Sequence, residues 1–512
     1  MKRNYVILTC LLLGLGKFNS EAQIPDKPNI IFILSDDHAY QAISAYGSKL
    51  VNTPRIDQLA SEGTLFQNAF VTNSICGPSR ATLLSGQYSH KNGYKTNEKG
   101  FDLNQALFPQ ELNKIGYQTA WVGKWHLESL PGSLFNYWNI LPGQGEYYNP
   151  DFINVNQDTV RYEGYVSDII TQHAEDFLEK RDPNKPFMLV VGHKATHRSW
   201  LPDLQDLGAY DSLDFPLPAN FYDDYADREA AADQDMTIAK TMTLDTDLKV
   251  HPNYNKSPYN RFSKEQRTLF EDYYNGVAKD FESQNLKGKD LAEWKYQRYL
   301  KDYLATARSL DRNIGELMDY LKSHGLDKNT IVIYASDQGF YLGEHGWFDK
   351  RFMYEQSLKT AMIVRNPFES NPKKVVTDFV QNIDWAPTIL DYAGAQIPTV
   401  FQGKSFKNTL DKEASNNGKD AVYYHYYEFP QPHHVHPHFG VRTERYKLVR
   451  FYGTLNTWEL YDLEQDPQEN SNRIQVAALQ PEIKKLKLRL NELIDQYEDT
   501  EAAEVLRQEK QK

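Results

Sequence analysis

Cysteine is nearly missing: 512 residues hold two, Cys10 and Cys76, and Cys10 falls in an apolar N-terminal run. A disulfide-stapled scaffold is thereby excluded. Basic charge is short as well, with 57 Lys and Arg against 69 Asp and Glu and a formal net charge of −12. That balance excludes a nucleic-acid-binding surface or a polybasic membrane patch, so an anionic ligand needs a local basic pocket. Beyond the N-terminus no apolar run approaches the ~20 residues that cross a bilayer. Internal repeats and low-complexity tracts are also absent. The length admits two to four domains, or one large α/β core with an appendage.

The start of the chain is different. Lys2 and Arg3 precede an apolar stretch from Tyr5 to Leu15, and a small-residue site follows at Ser20-Glu21-Ala22. This is the layout of a secretory signal peptide over residues 1–22, which implies export to the periplasm or the medium. Cleavage after Ala22 removes Lys2, Arg3, Lys17 and Glu21, takes the charge from −12 to −14, and leaves Cys76 as the sole cysteine. A lipid anchor on Cys10 is the alternative, but Cys10 sits inside the apolar run, where no cleavage site belongs.

Four short apolar runs end in ionisable groups. Asn29–Leu34 leads into Ser35-Asp36-Asp37-His38, Thr119–Val122 into Gly123-Lys124-Trp125-His126, Phe187–Val191 into Gly192-His193-Lys194, and Ile331–Ala335 into Ser336-Asp337-Gln338-Gly339. Runs of this kind read as strands buried on both faces of a parallel sheet, and in open α/β sheets the site lies beyond the strands' carboxyl ends. Helical patterns lie between them, including Leu107–Ile115, stopped by Gly116, and an amphipathic stretch from about Leu291 to His324, closed by Gly325. The expected fold is α/β: a large, mostly parallel sheet flanked by helices over residues 23–400. Residues 401–512 should form a smaller α+β subdomain with an antiparallel sheet, its strands at Ala421–Tyr427 and Tyr446–Phe451 and a charged helix at Pro481–Tyr497. Residues 200–290, tyrosine-rich and acidic with weak periodicity, read as a long insertion near the mouth of the site.

Asp36 and Asp37 point to opposite faces of a strand unless the chain turns there. Alone, such a pair is a solvated turn. With Asp337 and Gln338 at another strand end, the set offers oxygen donors that suit a hard divalent ion, calcium first and magnesium as the alternative. Zinc is disfavoured, since no Cys/His ligand spacing is seen. Cys76-Gly77-Pro78-Ser79-Arg80, followed by Leu84-Ser85-Gly86, is the most specific segment; read blindly, it is one free cysteine before a helix, and such cysteines are usually packing.

That segment resembles the Cys-x-Pro-x-Arg signature of type I sulfatases, in the alkaline-phosphatase-like superfamily. The likeness extends to Asn29–Asp37, Gly123–His126, Ser336–Gly339, Leu342-Gly343-Glu344-His345-Gly346 leading to Lys350, and Glu459–Leu463 with Asp466-Pro467. It implies a formylglycine-generating maturation enzyme that oxidises Cys76 to Cα-formylglycine, and a metal site of Asp36, Asp37, residue 76, Asp337 and Gln338. It also implies a cationic cradle of Arg80, Lys124 and Lys350, with His126 taking a proton during sulfate release and His197 with Lys350 protonating the leaving sugar oxygen. Two positions depart from the family: Gln338 stands where Asn or His is common, and Lys194-Ala195-Thr196-His197 replaces the usual His-x-Pro-His.

Asp349-Lys350-Arg351, with Tyr354-Glu355 behind it, is similar to N-acetylglucosamine-6-sulfatases; Asp349 and Arg351 pair an acceptor with a bidentate donor able to grip hexose hydroxyls. The alternative is a surface salt bridge. The tract His433–His438 has no regular metal-ligand spacing, and reads as a loop bordering the pocket with His436 or His438 on the glycan. The expected protein is a secreted sulfatase acting on sulfated glycans such as heparin, heparan or mucin fragments. A phosphate or phosphonate monoester hydrolase of the same superfamily and a non-catalytic glycan-binding protein are the alternatives. The sequence leaves oligomeric state open.

Overall fold

A computed structural model describes residues 27–97, 100–369, 374–410, 418–509 and 511. The expected signal peptide and Cys10 lie outside the described residues. No described helix is long and apolar enough to cross a membrane.

The core is a ten-stranded mixed sheet. Its strands are β1 (Asn29–Ser35), β2 (Thr64–Phe66), β3 (Gln118–Lys124), β4 (Tyr137–Leu141), β5 (Asp151–Asn154), β6 (Thr159–Arg161), β7 (Phe187–Gly192), β8 (Thr330–Ser336), β9 (Met362–Arg365) and β10 (Val375–Val376). Their order across the sheet is β10-β2-β9-β8-β1-β7-β3-β4-β5-β6. The central five, β8-β1-β7-β3-β4, are mutually parallel, while β9, β5 and β6 join antiparallel. All seven residues of β1 are buried. Ile30, Phe32 and Leu34 pack with the helices on one face, and Ile31 and Ile33 with those on the other. Each such side chain contributes about 1.5–3 kcal/mol. This double burial is what a continuous apolar run encodes.

On the first face lie α1 (Cys76–Ser85), α2 (Phe108–Lys114) and α6 (Trp385–Ala393); on the second lie α3 (Val166–Lys180), α4 (Lys264–Gln284) and α5 (Gly288–Ser323). Helix α4 belongs to the stretch that sequence alone left as an insertion. Its buried positions are Phe270, Tyr274 and Ala278, one narrow stripe, and its start is a capping box in which Ser263 accepts from the Gln266 N–H and Gln266 Oε1 from the Ser263 N–H. Within the same insertion, Met236 accepts the Phe348 N–H at 3.1 Å, next to the expected site.

A separate four-stranded antiparallel sheet follows: β11 (Ala421–Tyr426), β12 (His438–Thr443), β13 (Tyr446–Phe451) and β14 (Trp458–Asp462), in that order. Helix α7 (Gln480–Tyr497) packs on it through Ile483, Leu486, Leu490, Leu493 and Ile494. The other side of this sheet packs in one cluster with Trp347, Phe352 and Tyr354.

Glu459 on β14 is fully buried and accepts from two hydroxyls, Tyr461 Oη at 2.7 Å and Tyr354 Oη at 3.0 Å, with the Arg228 charge too weak to offset its burial. Burial pushes its carboxyl up to about 7. The native carboxyl therefore stays protonated where the unfolded one ionises, so stability falls as pH rises from about 4.5 to 7. Glu459→Gln is expected to flatten this fall and raise Tm at pH 8, measured by thermal denaturation across pH; an unchanged pH slope would refute it.

Candidate active site

The four strands whose ends carry the predicted residues, β8, β1, β7 and β3, are neighbours in the sheet, so their polar tails converge. Asp37 has φ +62°, the turn needed to aim both carboxylates at one point. Its carbonyl is held by Tyr303 Oη of α5 at 2.7 Å and Thr196 Oγ1 at 2.9 Å. Gly123 at φ +86° lets β3 touch β7: a Cβ there would stand 2.1 Å from the Gly192 oxygen.

Helix α1 is buried along its whole length and presents Cys76 at its N-terminus. Ser79 Oγ donates to the Asp337 carbonyl at 2.5 Å, and Gly77 N–H donates to Asn97 Oδ1 at 3.1 Å. A Cβ on Gly77 would collide with Asn97 and Tyr94. Around Cys76 Sγ stand Lys350 Nζ at 3.3 Å and Gln338 Nε2 at 3.8 Å. Burial pushes the thiol up to about 12, so unmodified Cys76 is protonated at neutral pH.

The charges interlock. Arg80 Nε and Nη2 bond Asp337 Oδ2 at 3.1 and 2.9 Å, and Nη1 the Lys124 carbonyl at 2.7 Å. Lys124 Nζ is paired with Asp36, and Lys350 Nζ with both oxygens of Asp37 at 2.6 and 2.7 Å. Burial opposes the Lys350 ammonium, but the Asp37 carboxylate outweighs it and holds its pKa well above the ordinary range. Burial works against Asp36 too, yet Lys124, His197 and Arg80 keep it ionised. Asp37 is raised, by burial above all. Asp337 is pushed to about 7 by burial and the Asp36 charge.

Asp36, Asp37 and Asp337 bring ligand oxygens within 4.8 Å of one another. Asp36 Oδ1 and Gln338 Oε1 are buried without a hydrogen-bond donor among the described residues. Crowded carboxylates with orphaned oxygens fit a hard divalent cation.

His126 (φ +55°) receives Gln144 Nε2–H on its Nε2 at 3.0 Å, and Lys124 Nζ donates to Gln144 Oε1 at 2.6 Å, fixing that amide. His197 Nδ1 donates to the Arg198 carbonyl at 2.8 Å and leaves Nε2 3.9 Å from Asp37 Oδ2. Burial, with Lys124 next, drives both imidazoles well below their usual pKa. Lys194 Nζ donates to the Gln144 carbonyl at 3.0 Å.

The segment after Lys350 forms one wall. Arg351 Nη1 pairs with Glu428 Oε2 at 2.5 Å, and Nε lies 3.4 Å from Asp349 Oδ1. Asp349 and Arg351 have φ of +76° and +95°, strain that non-glycine residues bear chiefly at functional sites. His433 Nε2 reaches Asp349 Oδ2 at 3.2 Å.

The other tract histidines are placed differently from expectation. His438 is fully buried, with Nδ1 donating to the His436 carbonyl and Nε2 accepting the Met353 N–H, amid the rings of Phe352, Tyr424, Tyr426 and Phe451. It braces the wall from behind and does not reach the pocket, because alternation along β12 points it into the core. His436 turns to Asp233 and Thr454.

Residues 28–395 match the family model described as Sulfatase, and residues 343–496 that described as N-sulphoglucosamine sulphohydrolase, C-terminal. The chain belongs to the sulfatase family. It is a sulfuric-ester hydrolase. An N-acetylglucosamine-6-O-sulfatase of Bacteroides thetaiotaomicron is 43% identical to this sulfatase over 501 residues, which is 95% of this chain and 89% of that one. An arylsulfatase of Clostridium perfringens is 24% identical over 495 residues, 88% and 90% of the two chains. A solved protein in complex with its substrate D-glucosamine-2-N,6-O-disulfate shares the fold of this sulfatase with TM-score 0.90 at 43% identity, covering 93% of this chain and 99% of that one.

Two residues beside the site, Gln144 in a glycine-flanked loop and Glu428 in the C-terminal region, had no signal of their own in the sequence, whereas Lys194 and His433 lay in segments the sequence marked without being singled out.

Proposed function

We propose that this sulfatase is exported and removes the 6-O-sulfate of glucosamine or N-acetylglucosamine in heparin, heparan or mucin fragments, with Cys76 matured to Cα-formylglycine. The observation that carries the reading is Lys350 Nζ standing 3.3 Å from Cys76 Sγ, with Asp349 and Arg351 as its neighbours in the chain. The 43% identical N-acetylglucosamine-6-O-sulfatase and the glucosamine-disulfate complex support the sugar.

Hydrated formylglycine supplies a geminal diol, one hydroxyl to attack sulfur and a second to expel sulfate. Asp36, Asp37, Asp337 and Gln338 would hold a divalent ion, calcium by donor type and magnesium as the alternative, whose chemistry there is Lewis-acid polarisation of a sulfate oxygen. Arg80, Lys124 and Lys350 bind the sulfate and offset the protein's negative field. His126, its Nε2 held unprotonated by the Gln144 N–H, takes a proton there as sulfate leaves once that amide gives way. The Lys350 ammonium, which stays protonated, delivers a proton to the departing sugar oxygen, with His197 Nε2 beside the same Asp37 carboxylate. Each transfer is typically worth about 10²–10⁴-fold. Asp349 and Arg351 grip the sugar hydroxyls, flanked by His433.

The test is the mass of the peptide containing Cys76 from protein made in its own host, paired with sulfate release from glucosamine-6-sulfate. A formylglycine mass, sulfate release that chelation abolishes, and preference for aryl sulfate over aryl phosphate are the expected results. Unmodified Cys76 without release, in a host with competent maturation, would refute it.

A further inference from the structure

Beside the substrate wall lies a cluster that the sulfatase chemistry does not use. Asp233 ends the short helix Glu229–Asp233 and faces two histidines of the strap 428–438. His436 Nε2 is 2.7 Å and His434 Nδ1 3.3 Å from the same oxygen, Asp233 Oδ2. The three donor atoms lie within 4.8 Å of one another. His436 Nδ1 is 3.2 Å from Thr454 Oγ1. The Thr454 hydroxyl, which can donate or accept, holds the ring from its far side, while Nε2 donates to the Asp233 carboxylate, a proton that a bound cation would displace. Phe429 packs on both rings, at 4.9 Å from His434 and 4.8 Å from His436. Glu229, one turn before Asp233, lines the same open pocket of about 630 Å³ and offers a further oxygen.

Two imidazoles and a carboxylate at one point suit a borderline transition metal better than calcium, and a pocket open to solvent leaves a coordination position for water. We propose that Asp233, His434 and His436 form a zinc site separate from the catalytic carboxylates. The tract looked unsuited to metal because its third ligand is some 200 positions away in the chain, not because the donors are lacking. The site clips the strap to the segment 229–236. The strap carries Glu428, the partner of Arg351, and His433, which bridges Asp349 at 3.2 Å and Asp235 at 3.3 Å. Zinc would thus hold the sugar-facing wall from outside the reaction.

The test is zinc titration by calorimetry together with X-ray absorption at the zinc edge. It is run in a Cys76→Ser background with excess calcium, so that neither the thiol nor the catalytic carboxylates take zinc. One equivalent with two imidazole ligands is expected in the parent. At least tenfold weaker binding is expected in His434→Ala and in Asp233→Asn, whose unloaded Tm should match the parent because His434 and Asp233 are 39% and 54% exposed. No uptake, or equal uptake by parent and variants, would overturn the proposal.

Discussion

Cys76→Ser is expected to bring turnover of 6-sulfated glucosamine down by on the order of 10⁶-fold, the scale of deleting a nucleophile, while the protein stays folded. The side chain sits at the buried start of α1 with Lys350 Nζ and Gln338 Nε2 as neighbours. A serine hydroxyl can take both contacts, so the expected Tm change is a few degrees at most. Chemistry explains the loss. Serine has one hydroxyl, so an attack on sulfur leaves an ester with no second hydroxyl to expel the sulfate. Kinetics on glucosamine-6-sulfate, with circular dichroism to verify folding, measure both halves. Substantial turnover in the folded variant would refute the mechanism.

Arg351→Ala and Asp349→Ala are expected to lower kcat/KM on 6-sulfated glucosamine by about 10²–10³-fold, roughly 3–4 kcal/mol at 1.36 kcal/mol per tenfold, and on a small aryl sulfate by less than about tenfold. Arg351 is 5% exposed, and its Nε, 3.4 Å from Asp349 Oδ1, makes no well-aligned hydrogen bond among the described residues. Burial raises the Asp349 carboxyl, yet Arg351, His433 and Lys350 hold it well below the usual range, so it remains an acceptor at any physiological pH. Truncating Arg351 also strands the Glu428 charge, a loss typically of about 3–5 kcal/mol for a buried pair. Arg351→Lys separates the two effects: it keeps the charge and loses the planar fork. Equal losses on sugar and aryl substrates would show that the residues serve the fold or the chemistry in general, and would remove the argument for glucosamine.

The convergence of the candidate site was legible because its residues are local punctuation. A parallel strand buried on both faces reads as an apolar run, and the polar residues stand at the point where that run stops: Asp36 and Asp37, Lys124 and His126, Asp337 and Gln338. Cys76 and Arg80 lie within one motif. Strand β13 and helices α2, α5 and α7 were legible through the same periodicity, within a few residues at their ends. Helix α4 was not, since a stripe of three buried residues on a polar helix gives too weak a pattern, although its Ser263–Gln266 cap was there to be read.

By itself, then, the sequence determined the strand ends and the charged groups that gather around Cys76, because burial of each strand is a local property. The tertiary structure alone decided which loops close over them. Arg351 meets Glu428 across 77 positions, Lys124 meets Gln144 across 20, and His436 meets Asp233 across 203. It also decided that His433 faces Asp349 while His438, five residues on, is core. Such pairings follow from how packed elements bring distant loops together, and no periodicity within either loop encodes its partner.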